Sequence, residues 1–333
     1  MFDGARAFRP LQLLFLTCGL GFLGVILWNT DLQSVAQYVG AIGWGILLVL
    51  AVYMLAFLAD TASWQTVIRN EWLKGLGFYA LWKIRMVGAA LNRVTPVFGL
   101  AGEPVKAILL RKFHGMDYQE GAASLVVAKT ANLIALVIFL AIGLATALAF
   151  DLLPKGYDWG AVAALATLTL GILGLFLVQR LKLSSATASW LSQRRFGRPI
   201  AKVIEQIHAL DQRLVESYTQ DRRRFALSVL LTLANWLLGA VELWVTLWFI
   251  GEPITLVEAL CADAAVELVR AATFFIPATI GTQEAALVLV LGHITGQPSV
   301  GLAVAVIRRF REIIWVVWGF AIGWFGFRPQ NAP

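Results

Sequence analysis

Charge is scarce in this chain: Asp, Glu, Lys and Arg make up 14% of its 333 residues, against about 25% in an average soluble protein. A solvated surface suited to a soluble globule of this length is therefore missing. Histidine occurs three times and cysteine twice, and their spacing builds neither a disulfide framework nor a metal site. A Gly-x-Ser-x-Gly elbow, a His-Glu-x-x-His pair and a phosphate-loop glycine motif are all absent. His114, His208 and His293 also lie away from the middle of any apolar run, so no catalytic residue, metal ligand or cofactor is assigned and nucleotide-driven pumping within the chain is not expected. The net charge of +7 has no nucleic-acid fold to serve and points to a membrane surface.

What the chain does have is apolar length. Hydrophobic residues fill 59% of it. Gly40 to Ala59 and Gly160 to Val178 carry no charge, and Gly121 to Phe150 and Phe225 to Ile250 carry one each. A bilayer core needs about 20 such residues as a helix, so these read as transmembrane helices. Residues 11–28 and 300–327 complete the set of main spans. Ser34-Val35-Ala36 beyond the first run loosely resembles a signal-peptidase site, but the run is longer than the roughly 7 to 15 residues of a signal-peptide core. Trp28, Trp44, Trp72, Trp82, Trp159 and Trp324 fall near span ends, where indole rings collect at the headgroup level.

Lys and Arg set the orientation. Arg6 and Arg9 precede the first span, whereas Asn29 to Val39 after it has no basic residue, which puts the N-terminus in the cytoplasm. Lys83, Arg85, Lys106, Arg111 and Lys112 then fall on the inner side. Residues 180–224 carry ten basic residues and an amphipathic helix with Ile200, Val203, Ile204, Ile207, Leu210 and Leu214 on one face, expected on the inner leaflet.

Two segments share a device. Pro96 and Pro277 are each followed seven residues later by a glutamate, Glu103 and Glu284, with Gly99, Gly102 and Gly281 between them. Proline and glycine break a helix and free backbone groups that hydrocarbon cannot satisfy, so such breaks persist at membrane depth only inside protein or beside water. Residues 86–110 and 254–292 are therefore read as broken, re-entrant regions. Basic flanks place the first hairpin on the inner side, and the second begins outside; opposite senses are what an inverted repeat would produce. Helix starts after the breaks would aim free N–H groups inward, which favours anions. Glu103 and Glu284 can act as caps for those donors or as acid–base groups.

Twelve ionisable residues fall in or beside the apolar segments: Arg93, Glu103, Lys129, Glu242, Asp263, Glu267, Arg270, Glu284, Arg308, Arg309, Arg311 and Glu312. Helical spacing puts Asp263, Glu267 and Arg270 on one face, and Asn235, Gly239 and Glu242 on another. Mid-membrane charges are costly and mark pathways or internal ion pairs, such as one between Arg308 and Glu312. A polar seam of this kind would let a charged head cross while its apolar tail stays in lipid.

The stretch from Leu91 to Arg111 (Leu-Asn-Arg-Val-Thr-Pro-Val-Phe-Gly-Leu-Ala-Gly-Glu-Pro-Val-Lys-Ala-Ile-Leu-Leu-Arg) resembles the signature of the flippase-like family that includes the transmembrane domain of lysylphosphatidylglycerol synthases. Ile276 to Leu287 and the run Arg308-Arg309-Phe-Arg311-Glu312 resemble its C-terminal block. The resemblance implies a lipid translocase with Asn92, Pro96, Gly102, Glu103, Lys106, Pro277, Gly281, Glu284, Arg308 and Arg309 in the functional core. The synthases carry a soluble aminoacyl-transfer domain, and this chain stops at Pro333, so synthase activity is not expected.

The expectation is thus a single all-α polytopic domain over residues 1–333, with about 6 to 8 membrane helices and two re-entrant hairpins, in a bacterial-type plasma membrane. Its expected partners are membrane lipids with anionic or polar headgroups, bound through Asn92, Arg93, Pro96, Gly99, Gly102, Glu103, Lys106, Lys129, Glu267, Arg270, Pro277, Gly281, Glu284, Arg308, Arg309 and Glu312. The competing reading is an accessory subunit or lipid-modifying enzyme that presents a lipid to a synthase or glycosyltransferase.

Overall fold

A computed structural model describes residues 24–25, 27–28, 30–95, 101–150, 152, 158–180, 221–273, 276 and 279–327. Most of the 11–28 span, the amphipathic helix expected within 180–224, and Pro96, Gly99 and Pro277 lie outside the described residues. Among the described residues every regular element is a helix and no strand occurs.

In chain order the helices are α1 (Leu32–Ala41), α2 (Gly45–Val67), α3 (Asn70–Leu73), α4 (Phe78–Val94), α5 (Gly102–His114) and α6 (Tyr118–Ala149), followed by α7 (Asp158–Arg180), α8 (Arg222–Phe249), α9 (Leu256–Ala272), α10 (Thr282–Thr295) and α11 (Pro298–Gly326). Of these, α2, α6 and α8 are long and apolar enough to cross a membrane by length and composition. The charges at Arg308, Arg309, Arg311 and Glu312 interrupt the apolar character of α11.

Local chemistry fixes the ends. Asp31 accepts from the Gln33 N–H at 3.0 Å to start α1. Thr255 and Glu258 form a reciprocal capping box at α9, each accepting from the other's backbone N–H. Thr255→Ala is expected to lower stability by about 1 kcal/mol, read as an earlier thermal unfolding midpoint of the detergent-solubilised protein. Gly115 and Gly296, at φ 65° and 74°, end α5 and α10 in the left-handed region that a side chain resists.

The apolar run Gly40–Ala59 is not one element. Gly43, at φ 45°, turns the chain between α1 and α2, and α2 then runs on to Val67. Asp60, just beyond the uncharged run, thereby sits inside a helix.

The second half of the molecule repeats the element pattern of the first. Helix α4, a break, α5, a glycine turn and the long α6 have lengths of 17, 13 and 32 residues; α9, α10 and α11 have 17, 14 and 29. Helix α4 packs on α11 and α6 on α9, while α2 and α8 pack along each other. Small residues permit the close crossings. A Cβ on Gly143 would lie 2.2 Å from that of Ala264, and one on Gly319 would lie 2.7 Å from the Met86 carbonyl oxygen. Between α2 and α8 the buried Ser63 hydroxyl meets those of Ser228 and Thr232 at 2.8 and 2.7 Å, which satisfies all three without water.

The largest apolar cluster joins α1, α2, α8, α9, α10 and α11 through residues such as Val49, Leu243, Leu247, Val266, Leu287 and Val304. A second joins α2, α4, α5 and α6 through Trp64, Ile84, Leu110 and Leu125. The outward faces remain apolar. Trp28, Trp44, Trp159 and Trp324 are exposed, in keeping with interfacial anchors. Trp72 and Trp82 serve packing instead: Trp72 packs against the second cluster, and Trp82 is buried, stacked on Tyr79 and edge-on to Trp318.

On the side where α8 ends, the Tyr38 hydroxyl lies 2.8 Å from Glu252 and 2.6 Å from Gln297. It ties α1 to the connection after α8 and to the start of α11.

Candidate functional site: a paired-charge cavity between the helices

Helices α2, α4, α6, α8, α9, α10 and α11 surround a polar cavity of about 270 Å³. Its wall includes Tyr53, Phe57 and Asp60 of α2, Arg85 and Arg93 of α4, Asn132 of α6, and Asn235, Trp236, Gly239 and Glu242 of α8. Asp263, Glu267 and Arg270 of α9, Gln283 of α10, and Arg308, Arg311 and Trp315 of α11 complete it. The two helical faces expected from spacing, on α8 and α9, both point into it.

Six arginines and six carboxylates in and behind this wall match one to one. Arg85 pairs with Asp60, and Arg311 with Glu242. Arg93 reaches Glu312 at 2.6 Å, Arg270 reaches Glu267 at 2.6 Å, and Arg308 reaches Asp263 at 2.5 Å. Arg309 reaches Glu284 at 2.7 Å and Glu312 at 3.0 Å. The Arg308–Glu312 pair expected from i,i+4 spacing does not form. Arg308 turns across to Asp263 on α9, and Glu312 is taken instead by Arg93 of α4 and by Arg309 of its own helix. Aromatic rings support the guanidinium groups: Arg311 lies 4.0 Å above the Tyr53 ring and Arg85 5.1 Å above Phe57, at cation–π range. The Tyr53 hydroxyl accepts from Arg93 at 3.0 Å.

The pairing leaves donors over. Among the described residues, the Nε groups of Arg85, Arg270, Arg308 and Arg311 and the indole N–H groups of Trp236 and Trp315 are buried without a hydrogen-bond partner, against one such acceptor in the wall, Glu242 Oε1. All seven belong to residues of the wall. An unsatisfied buried donor costs about 1 to 3 kcal/mol, so the cavity favours a guest rich in acceptor oxygens.

A second cluster lies where α4 meets α5. The Asn92 side chain accepts from the Gly102 N–H at 2.6 Å and donates to Glu103 at 3.2 Å, and Lys106 donates to the same Glu103 oxygen at 2.8 Å. Asn92, not Glu103, thus serves the first free donor of α5. Glu284 does act as a cap, accepting from the Gly281 N–H at 2.8 Å while its other oxygen holds Arg309. Gly281 has φ 84°, and Thr279 just before it has φ 49°, a strained value for a β-branched residue.

Of the residues singled out from sequence, Arg93, Glu267, Arg270 and Arg308 line the cavity, and Glu284, Arg309 and Glu312 stand behind it through ion pairs. Asn92, Gly102, Glu103 and Lys106 form the separate cluster, and Lys129 presents an exposed side chain from α6. Sequence reasoning missed Tyr53, Asp60, Arg85, Asn132 and Trp315. Arg85 was read as one of the inner-side basic residues, whereas it is an interior residue of α4 paired with Asp60. The available signal for Asn132 was its place one helical turn beyond Lys129.

No curated protein and no solved structure gave a match. Residues 11–319 match the family described as the lysylphosphatidylglycerol synthase TM region. With nearly the whole chain covered, the protein belongs to that family, a membrane family tied to lipid biology.

Proposed function

We propose that the protein is a lipid translocase, a transporter rather than an enzyme, which carries a polar or anionic headgroup between leaflets through the central cavity. The observation that carries this reading is the excess of unpartnered buried N–H groups over acceptors in the cavity wall. A volume of about 270 Å³ falls just short of the roughly 300 to 1,000 Å³ of sites that enclose a whole drug-sized ligand. It suits a headgroup whose acyl chains stay in the bilayer.

The repeated helix pattern supports an inverted repeat with two re-entrant hairpins. Pro96 and Pro277, Glu103 and Glu284, and Gly115 and Gly296 are all separated by the same number of residues. The contacts of α4 with α11 and of α6 with α9 are the pair that such a symmetry would exchange. Lys and Arg distribution supports an N-terminus in the cytoplasm of a bacterial-type cell.

The test is a leaflet-accessibility assay in proteoliposomes with headgroup-labelled anionic and neutral lipids. Wild type is expected to speed label movement, and Arg270→Gln is expected to slow it by at least about tenfold, the loss of one charge-assisted hydrogen bond to the moving head; Glu284→Gln, which weakens the Gly281 cap and the Arg309 pair behind the cavity, is expected to slow it as well. No acceleration with any lipid or ion gradient, or a new lipid species in the same vesicles, would instead favour the accessory-subunit or lipid-modifying reading.

A further inference from the structure

Lys129 is the twelfth residue of α6, and Arg309 is the twelfth residue of α11, the helix in the corresponding place of the second half. Their surroundings differ. Arg309 is closed onto Glu284 and Glu312. Lys129 makes no ion pair among the described residues, because the corresponding carboxylate, Glu103, is held by Lys106 and Asn92. Glu103 acts on Lys129 only through space.

The exposure of Lys129 is not that of a lipid-facing residue. Leu125, Leu136 and Leu140 share its helical face at i−4, i+7 and i+11, and all three are buried. Asn132, at i+3, lines the central cavity. Val126 and Leu133, at i−3 and i+4, are half-buried, and Glu103 of α5 and Arg85 of α4 act on Lys129 through space, so the ammonium lies on the side of α6 that faces α4 and α5, next to that cavity. A cation there, bonded to no carboxylate among the described residues, is suited to an oxyanion.

We infer that Lys129 is a phosphate-binding residue which receives the headgroup phosphate of a membrane lipid beside the cavity. The inference rests on the headgroup reading above but concerns binding alone.

Titration calorimetry on the detergent-solubilised full chain tests it, with short-chain phosphatidylglycerol, a short-chain neutral glucosyl diacylglycerol and inorganic phosphate as probes. Lys129→Met is expected to weaken phosphatidylglycerol binding by about tenfold, the scale of one hydrogen bond to a charged group, and to leave the glucolipid unchanged. Lys129→Arg is expected to bind close to wild type. Equal loss of both lipids, no loss, or no preference of wild type for the phospholipid would overturn the inference. Dependence on Lys129 for inorganic phosphate with none for the lipid would overturn the lipid assignment.

Water access at Lys129 has its own readout. In a Cys18→Ser, Cys261→Ser background, Lys129→Cys is expected to react with a charged methanethiosulfonate at a rate comparable with Lys112→Cys at the exposed end of α5. A thiol as inert as Leu136→Cys would show that water does not reach it. Because these measurements need no transport, wild type that binds phospholipid but moves none would refute translocation and leave the Lys129 site standing.

Discussion

Asp263→Ala is expected to destabilise the protein by about 3 to 5 kcal/mol, the range found when one partner of a buried ion pair is removed. Asp263 and Arg308 are 3% and 5% exposed, so the guanidinium left behind loses the carboxylate bonded to it while staying buried, and it cannot lose its charge at accessible pH. The penalty belongs to the orphaned charge rather than to the pair's attraction. Replacing both partners with apolar residues of similar length, Asp263→Leu with Arg308→Met, is therefore expected to recover most of the loss. Denaturant unfolding in mixed micelles across the double-mutant cycle measures this directly. If the double variant is no better than the single one, the ion pair is not what makes the site sensitive.

Gly102→Ala is the second large effect expected, and it is steric. A Cβ there would sit 2.0 Å from the Gly88 carbonyl oxygen and 2.9 Å from Asn92 Oδ1. The obstacle is backbone, so α5 must move away from α4 and the 2.6 Å bond from Gly102 N–H to Asn92 must break. The cost is expected at about 3 kcal/mol, the upper end for overpacking. Gly88→Ala is the informative control. The nearest atoms to its Cβ belong to the buried Lys106 side chain, with Cε at 2.3 Å and Cγ at 2.7 Å, so Lys106 must shift from its place beside Glu103, and a smaller cost of about 1 to 2 kcal/mol is expected. Size-exclusion profiles and thermal midpoints of the two variants separate backbone contact from side-chain contact.

Much of the site was legible because helical spacing is rigid. Asp263, Glu267 and Arg270 could be placed on one face from their numbers alone, and the face does point inward. Partner choice was not legible. Arg308 and Glu312 are the right distance apart on α11 to pair, yet Asp263, almost fifty residues away in sequence, takes Arg308 because the crossing of α9 and α11 brings them together. The same holds for Asp60 and Arg85. Each sat at the edge of a stretch judged by hydropathy, and a hydropathy window ends at a charge whether or not the helix does. Glu103 and Glu284 looked alike in sequence, and only the neighbours distinguish them: Asn92 takes over the capping of α5, which leaves Glu103 to Lys106, whereas Glu284 must serve both Gly281 and Arg309.

The one-to-one match of arginines and carboxylates around the cavity bears on the membrane voltage. A unit charge carried across 100 mV exchanges about 2.3 kcal/mol with the field, so an unbalanced set of helical charges would make any rearrangement of the bundle strongly voltage-dependent. Here Arg85, Arg93, Arg270, Arg308, Arg309 and Arg311 are cancelled by Asp60, Glu312, Glu267, Asp263, Glu284 and Glu242. Helices that shift with their pairs intact displace almost no net charge. On the translocase reading proposed above, the electrical work of a cycle would fall on the headgroup and on Lys129 of α6, which lies outside these six pairs, and its voltage dependence would report their combined charge.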